Sequence, residues 1–316
     1  MSFWTAALCG ILVSISGCLG ANVCDAQDLA PRAYIITPIH SNAITITYSY
    51  FDGRVLFEGT IPITGAKARV SVGIFNYSHS LTLFGRTVNF TGSLPYGVGN
   101  LRGTVVGAEA FAYRSGLLPA SFRLSVNLLG GPAMNEAEFM KWRQKGILGI
   151  SLRLVPRTGQ YDPTKLINFG ANRWAVKPEL GFSQRWGHWI LDAYGGAWLY
   201  TTNPEFFSHN QFSPGTNTQA QSPIGSFEWH LSYDFKPRLW VSLDGNYWFG
   251  GTTSLNGIEN SGTLQKNSRV GGTASIPISR HHSIKLSYSN GAYIRYGGNF
   301  QNVSAAWQYS WLGRPN

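Results

Sequence analysis

Residues 303–311 read V-S-A-A-W-Q-Y-S-W, and in an extended chain their side chains sort onto two faces. Val303, Ala305, Trp307, Tyr309 and Trp311 share one face, while Ser304, Ala306, Gln308 and Ser310 share the other. A strand of a soluble sandwich can alternate in this way. Two tryptophans and a tyrosine crowded at one end of the apolar face fit better at a boundary between hydrocarbon and headgroups. The pattern predicts the closing strand of an outer-membrane β-barrel, provided that the rest of the chain repeats it.

The repeats are present. Ile44, Ile46, Tyr48 and Tyr50 alternate with polar residues; so do Ala68, Val70, Val72 and Ile74; then Val88, Phe90 and Leu94; then Phe122, Leu124, Val126 and Leu128. Leu148, Ile150, Leu152 and Leu154 follow, then Trp174, Val176, Leu180 and Phe182, and then stretches at 191–199, 227–235, 239–249, 270–278 and 284–294. Most run to the roughly 9 to 11 residues that a tilted strand needs to cross a bilayer. With the closing strand they predict an all-β fold, a transmembrane antiparallel up-and-down barrel of about twelve strands.

Composition supports that class. Only 13% of residues are charged, 14% are aromatic and 37 are glycine, which suits a sheet with one face in lipid better than a soluble enzyme. Mean hydropathy stays near neutral, and no run approaches the ~18 apolar residues of a membrane helix. The formal charge is +10, but Lys and Arg are spaced singly along strands rather than clustered, which argues against a nucleic-acid partner.

Residues 1–26 contain an apolar core at 6–15 and a small-x-small site at Cys24-Asp25-Ala26, and read as a cleaved signal for Sec-type export, although they lack a basic residue. Ile15-Ser16-Gly17-Cys18 offers a rival, lipobox-like cleavage at Cys18. All three cysteines lie in this leader, so cleavage after Ala26 leaves no thiol for a disulfide or a nucleophile. Residues 27–316 contain no linker or composition break and read as a single barrel domain.

Connection lengths agree with the topology, since such barrels keep short turns on the periplasmic side and long loops outside. Short turns at 187–188, 236–238 and 279–282 alternate with long loops at 95–116, 156–172, 201–221 and 250–265. The connection at 132–145 is a long periplasmic one. It predicts a short helix, with Asn135 as cap, Glu136 and Glu138 in the first turn and Lys141, Arg143 and Lys145 in the last, and with Phe139 and Trp142 against the barrel rim.

Projecting the polar parity of each strand inward gives the expected lumen. Arg123, Arg153, Lys177, Arg269, Lys285 and Arg295 form a basic set, and Asp192, Glu228, Asp234 and Asp244 an acidic one. Opposed walls of this kind polarise solutes in a narrow pore; alternatively the charges pair across a tight barrel and plug it. Tyr194, Trp198, Tyr200, Trp240, Trp248 and Tyr293 share the inward parity. Of these, Tyr194, Trp198, Trp248 and Tyr293 are candidates for a solute path that uses stacking and cation–π contact, with space filling or interfacial belts as the alternative.

No catalytic residue is assigned. His230, Ser232 and Asp234 share a strand face, but residues two apart on a strand lie ~7 Å from each other, too far for direct proton transfer. The His281-His282 pair has no neighbouring carboxylate or thiol set, so neither a metal nor another cofactor is expected.

The chain resembles the bacterial outer-membrane family named for the meta-pathway of phenol degradation. The resemblance is carried by Leu29-Ala30-Pro31-Arg32-Ala33-Tyr34, Gly159-Gln160-Tyr161-Asp162-Pro163, Lys165-Leu166-Ile167-Asn168 and Asn172-Arg173-Trp174. It continues in Lys177-Pro178-Glu179-Leu180-Gly181, Ser232-Tyr233-Asp234-Phe235 and Trp307-Gln308-Tyr309. The resemblance implies an outer-membrane barrel that passes aromatic compounds, and it brings no agreed functional residues. Within the segment 159–174, Tyr161, Asp162, Pro163, Asn168 and Arg173 are candidates for a constriction folded into the mouth; an ordinary structured outer loop is the alternative.

The function expected is a channel for passive passage of small aromatic or apolar solutes. The rivals are a closed structural or surface-binding barrel that uses loops 95–116 and 201–221, and a membrane-embedded hydrolase. Expected partners are outer-membrane lipid and lipopolysaccharide, the solute itself, and the barrel-assembly machinery through Trp307, Tyr309 and Trp311. The expected state is a monomer.

Overall fold

The structure is a computed structural model that describes residues 29–57, 63–105 and 107–313. The expected leader and both cleavage sites fall outside these residues.

Among the described residues sixteen strands follow in chain order. They are β1 (Ser41–Leu56), β2 (Ile63–Leu83), β3 (Arg86–Val105), β4 (Ala108–Leu117), β5 (Ser121–Leu129), β6 (Gly146–Val155), β7 (Ala175–Trp186), β8 (Trp189–Tyr200), β9 (Gln219–Gln221), β10 (Ile224–Lys236), β11 (Leu239–Gly250), β12 (Thr253–Leu255), β13 (Ile258–Asn260), β14 (Gln265–Pro277), β15 (His282–Ile294) and β16 (Gly297–Leu312). All but β9, β12 and β13 form one antiparallel sheet of twelve strand positions that closes on itself. β1 meets β16 in unbroken register from Ser41↔Leu312 to Leu56↔Gly297. Closure leaves no edge exposed to lipid, where an unpaired backbone group costs several kcal/mol.

One strand position is built in two pieces. β3 pairs with β4 along its outer half and with β5 from Val88↔Val126 to Ser93↔Ser121, and Pro119, which has no N–H to donate, lies in the break between them. The long loop expected at 95–116 is therefore corrected: β3 runs on to Val105 and returns as β4, a hairpin that rises above the rest of the wall. The outer loops at 201–223 and 251–264 cross-pair through β9, β12 and β13 into a small three-stranded sheet.

The outer surface carries the apolar set of most strands, including Ile46, Leu124, Leu152, Leu180, Leu243 and Leu286, all exposed. Aromatic rings gather towards both ends of this surface, with Trp186, Trp189 and Phe235 at the short-turn end and Tyr48, Tyr96 and Phe249 at the other.

Two stretches reverse the parity read from sequence. On β2, Ala68 and Val72 are buried inside the barrel and it is Phe75, directly opposite Ile46, that faces out. The apolar set of β2 packs there with Val55, Tyr296 and Phe300, so part of the inner wall is hydrophobic. On β15, Ser268 pairs with Tyr293 but Arg269 with Gly291, so Ala292 is an extra residue. Such a bulge flips every side chain beyond it. Tyr293 is thereby 61% exposed on the outer surface and Ile294 is buried inside. Arg295 follows Tyr293 to the exposed rim, where its guanidinium donates to the carbonyl of Leu264.

The helix at the long periplasmic connection, α1 (Glu136–Lys141), has Asn135 as its cap, as the sequence predicts, within a capping box in which Asn135 accepts from Glu138 N and the Glu138 carboxylate accepts from Asn135 N. It ends at Lys141, so Arg143 and Lys145 lie beyond its last turn. Phe139 and Trp142 pack beside Ile36, Met134 and Ile147 and cover the barrel end.

Candidate functional site

The N-terminal segment that precedes β1 lies inside the barrel. Arg32 has a positive φ of 65° and turns the chain so that its backbone N–H donates to Asp192 at 3.2 Å, while its guanidinium reaches Asp234 at 2.6 Å and stacks 4.3 Å over Trp240. The Ala33 N–H donates to the Tyr194 hydroxyl at 3.0 Å, and Arg123 donates to the Ala33 carbonyl at 3.1 Å. The fully buried Tyr34 hydroxyl lies 3.0 Å from both Ser151 Oγ and Glu179 Oε1, and its ring sits between Gly149 and Gly181. Ile36 closes the segment against Met134 and Ile147. The segment is a plug, held mostly by hydrogen bonds to polar groups of the wall.

The inward charges pair with one another and with the plug. Lys177 bridges Glu179 at 2.7 Å and Glu228 at 3.0 Å, and Arg123 meets Glu179 at 3.2 Å. Asp234 takes Arg185 at 2.5 Å besides Arg32. Arg153 stands across from Lys177 on the next strand, and Arg269 is buried with a hydrogen bond to Ser289 at 2.9 Å. Lys285 lies 5.8 Å from the Trp240 ring. Of these ion pairs, Lys177–Glu228 joins a member of the basic set to one of the acidic set, and it runs along the wall between β7 and β10. Glu179, which anchors the pairing, shares the parity of Lys177 and could have been found by that signal.

His230 and Asp244 form a hydrogen bond of 2.8 Å, and Thr273 donates to the other oxygen of Asp244 at 2.8 Å. Both members of this dyad, and Ser232 beside it, are fully buried, with the Tyr194 ring packed against His230. Asp234, the third member of the triad weighed from sequence, pairs with Arg32 and Arg185 instead. A substrate would have to enter the packed wall to reach them. Among the described residues no group of His, Cys, Asp or Glu is arranged to hold a metal.

In the outer half of the lumen, Trp198 and Trp248 pack with Val155, Ile224 and Ile294 in a closed apolar cluster, and Trp248 donates to Gln265 at 2.8 Å. These two rings are covered in this conformation, as Tyr194 is, whereas Tyr293 belongs to the outer aromatic belt.

Opposite that cluster an open recess remains. Val70, Leu101, Ala112, Ile167 and Phe169 line a small recess of about 30 Å³, room for little more than water, that opens to solvent, with Arg114 at its polar edge. Its inner wall is β2, with the reversed parity described above, together with β3 and β4. Its lid is the 159–174 segment, in which Arg114 donates to the carbonyl of Ile167 at 2.5 Å. Phe169 packs over Gly97 and Gly99, where an added Cβ would stand 3.2 and 3.4 Å from its ring.

The lid is internally tied. Asn168 is buried, accepts from Asp162 N at 3.0 Å, and donates to the carbonyls of Asp162 and Lys165. Tyr161 donates to the carbonyl of Glu205 and accepts from Asn203, and the Pro163 carbonyl accepts from Ser208 N, which together join this loop to its neighbour. Arg173 is buried under Tyr200 with its guanidinium on Gln221. Burial raises the Tyr161 phenol above its ordinary pKa, and the Thr164 hydroxyl, followed by Lys165, holds the Asp162 carboxyl below its own.

The sequence profile of the family described as "Putative MetA-pathway of phenol degradation" matches residues 52–309. No curated protein sequence matches the chain. Among solved structures, the COG4313 outer membrane channel from Pseudomonas putida F1 is similar with a TM-score of 0.71 at 16% identity, over 90% of this chain and 100% of that one. The beta domain of the Bordetella autotransporter BrkA reaches 0.50 at 13% identity, over 86% and 100%. The translocator domain of the autotransporter NalP from Neisseria meningitidis reaches 0.50 at 9%, over 88% and 90%. At these identities the likeness shows the fold alone: a barrel of the outer-membrane type.

Proposed function

We propose that this chain, which belongs to the family described as the putative MetA-pathway of phenol degradation, is an outer-membrane channel for passive passage of small aromatic or apolar solutes. The observation that carries this reading is the recess lined by Val70, Leu101, Ala112, Ile167 and Phe169, an apolar surface inside the lumen that stays open to solvent. Apolar surface left wet is costly, and an apolar stretch of lumen wall with a cation at its edge suits passing contact with an apolar or aromatic solute. The solved Pseudomonas putida protein of this fold is itself described as a channel, which supports the same reading. Export by a Sec-type leader at residues 1–26, and insertion by the assembly machinery through Trp307, Tyr309 and Trp311, belong to this proposal.

A second reading, a closed structural barrel, is favoured by the seated plug and the paired charges. Uptake separates the two. Proteoliposomes with the folded protein should take up radiolabelled benzoate several-fold faster than protein-free liposomes, and Val70→Arg, which places a charge in the recess, should abolish the difference. Equal uptake with and without the protein would leave the structural reading standing.

A further inference from the structure

The outer surface of the barrel carries a row of cations that only the strand register brings together. Arg54 on β1 pairs with Lys67 on β2, and Lys67 pairs with Arg102 on β3, so three cationic side chains stand side by side on three adjacent strands. All three are exposed. Arg69 joins them one row below, 3.2 Å from Asp52. The other carboxylate on this face among the described residues is Glu109 on β4, opposite Thr104 on β3. Cations in directly opposed positions of a sheet repel each other and weaken it. Nothing in the barrel architecture requires them there.

Their height on the barrel identifies what can neutralise them. These three strands and β16, followed upward, present Trp307, Ile46, Phe75 and Leu94 in one row, Tyr48 and Tyr96 in the next, and Val303, Tyr50 and Val98 in the one above. Arg69 lies in the following row and the Arg54–Lys67–Arg102 row comes directly after. Each row spans two residues, ~7 Å along a strand and roughly 5 Å in height at a tilt of about 40°. The cations therefore sit about 5 to 10 Å above the last apolar row, in or just beyond the headgroup layer, which is roughly 5 to 8 Å deep. Phe111 and Tyr113, exposed beside Arg102 and Asn100, add the amphipathic rings of an interface.

We propose that the outer face of β1 to β3, through Arg54, Lys67, Arg69 and Arg102, binds the phosphate groups of a phosphorylated glycolipid of the outer leaflet, the lipid A moiety of lipopolysaccharide. Guanidinium groups bind phosphate through paired hydrogen bonds, and a row of three spans more than one phosphate. The neighbouring apolar rows accept the acyl chains of the same molecule, which a free anion could not exploit.

The test uses the full-length folded protein in detergent micelles, titrated with bis-phosphorylated lipid A and followed by native mass spectrometry. The wild type should retain lipid A, and the triple variant Arg54→Gln, Lys67→Gln, Arg102→Gln should bind it at least tenfold more weakly. A control triple variant at the opposite end, Lys236→Gln, Arg238→Gln, Arg280→Gln, should bind like the wild type. Folding of each variant is checked by its heat-modifiable gel mobility; should the triple variant not fold, Arg102→Glu alone carries the comparison, with the same direction expected. Equal binding by the wild type and the variant, or equal binding of dephosphorylated lipid A, would overturn the proposal. Displacement of lipid A by millimolar inorganic phosphate would also overturn it, in favour of a free-anion site.

Discussion

Tyr34 lies against the bare backbone of Gly181, where a methyl group would stand 2.0 Å from its ring carbon Cε2. A Cβ at Gly149 would meet the other edge of the ring at 2.5 Å. Two glycines on neighbouring strands β6 and β7 thus make a slot one ring wide, and the slot fixes where the N-terminal segment meets the wall. Real Cβ atoms do not approach that closely, so the plug and these glycines fit only as a unit.

Gly181→Ala should unseat the plug without disturbing the barrel. Loss of a buried aromatic contact is worth on the order of 3 kcal/mol, which raises the unseated population about a hundredfold. Arg32, whose side chain is only 8% exposed when seated, then becomes a trypsin site. The variant should be cut after Arg32 under conditions in which the wild type and Gly195→Ala resist, since Gly195 has open space at its Cβ.

Lys177→Met should damage the wall itself. Its ammonium is the shared partner of Glu179 and Glu228, all three side chains being less than 10% exposed. Removing one partner of a buried ion pair costs about 3 to 5 kcal/mol, because the remaining charges are stranded. The midpoint of urea unfolding, read from gel mobility, should fall accordingly, and the double variant Lys177→Met, Glu228→Gln should recover part of the loss.

Phe169→Ala should widen the mouth. The ring spans the gap between the lid and Gly97 and Gly99, so its removal enlarges the recess while the hydrogen bonds of Asn168 keep the loop in place. Proteoliposomes with this variant should admit bulkier substituted benzoates than the wild type does. An unchanged size limit would mean that the 159–174 segment does not constrict the path.

Acid should loosen the same lid only at low pH. The Asp162 carboxyl is held below its ordinary pKa by Thr164, whose N–H and hydroxyl both donate to it, and by Lys165. A depressed carboxylate contributes stability above its unfolded pKa of about 3.9, and this is lost as pH falls through the lower folded value. Intrinsic rates aside, amide exchange in residues 161–169 should stay flat from neutrality to about pH 4 and rise below it. Asp162→Asn should show the faster exchange at every pH.

Most of the barrel wall was legible in the sequence because lipid demands an apolar residue at every second position, and strands as regular as β8, β11 and β16 meet that demand. The exceptions have physical causes. Ala292 adds one residue to β15 and turns Tyr293 outward, a change of pairing that no periodicity reveals. β2 alternates as cleanly as its neighbours, but Ala68 packs in a hydrophobic interior, so alternation alone could not say which face was lipid. Arg32 to Tyr34 carry no strand or helix pattern, and their role depends on Gly149, Gly181 and Asp192, which lie more than a hundred residues away. Arg54, Lys67 and Arg102 become a cluster only once β1, β2 and β3 are in register.

Single-channel recording of the folded protein in a planar bilayer tests the central claim most directly, with the plug present and with residues 29–39 deleted, before and after addition of phenol or benzoate. The channel reading predicts brief openings of the intact protein, larger and steadier current after deletion, and a concentration-dependent fall in both on adding the aromatic solute. A folded, inserted barrel that stays silent with and without its plug, or a current indifferent to aromatic solutes, would contradict it.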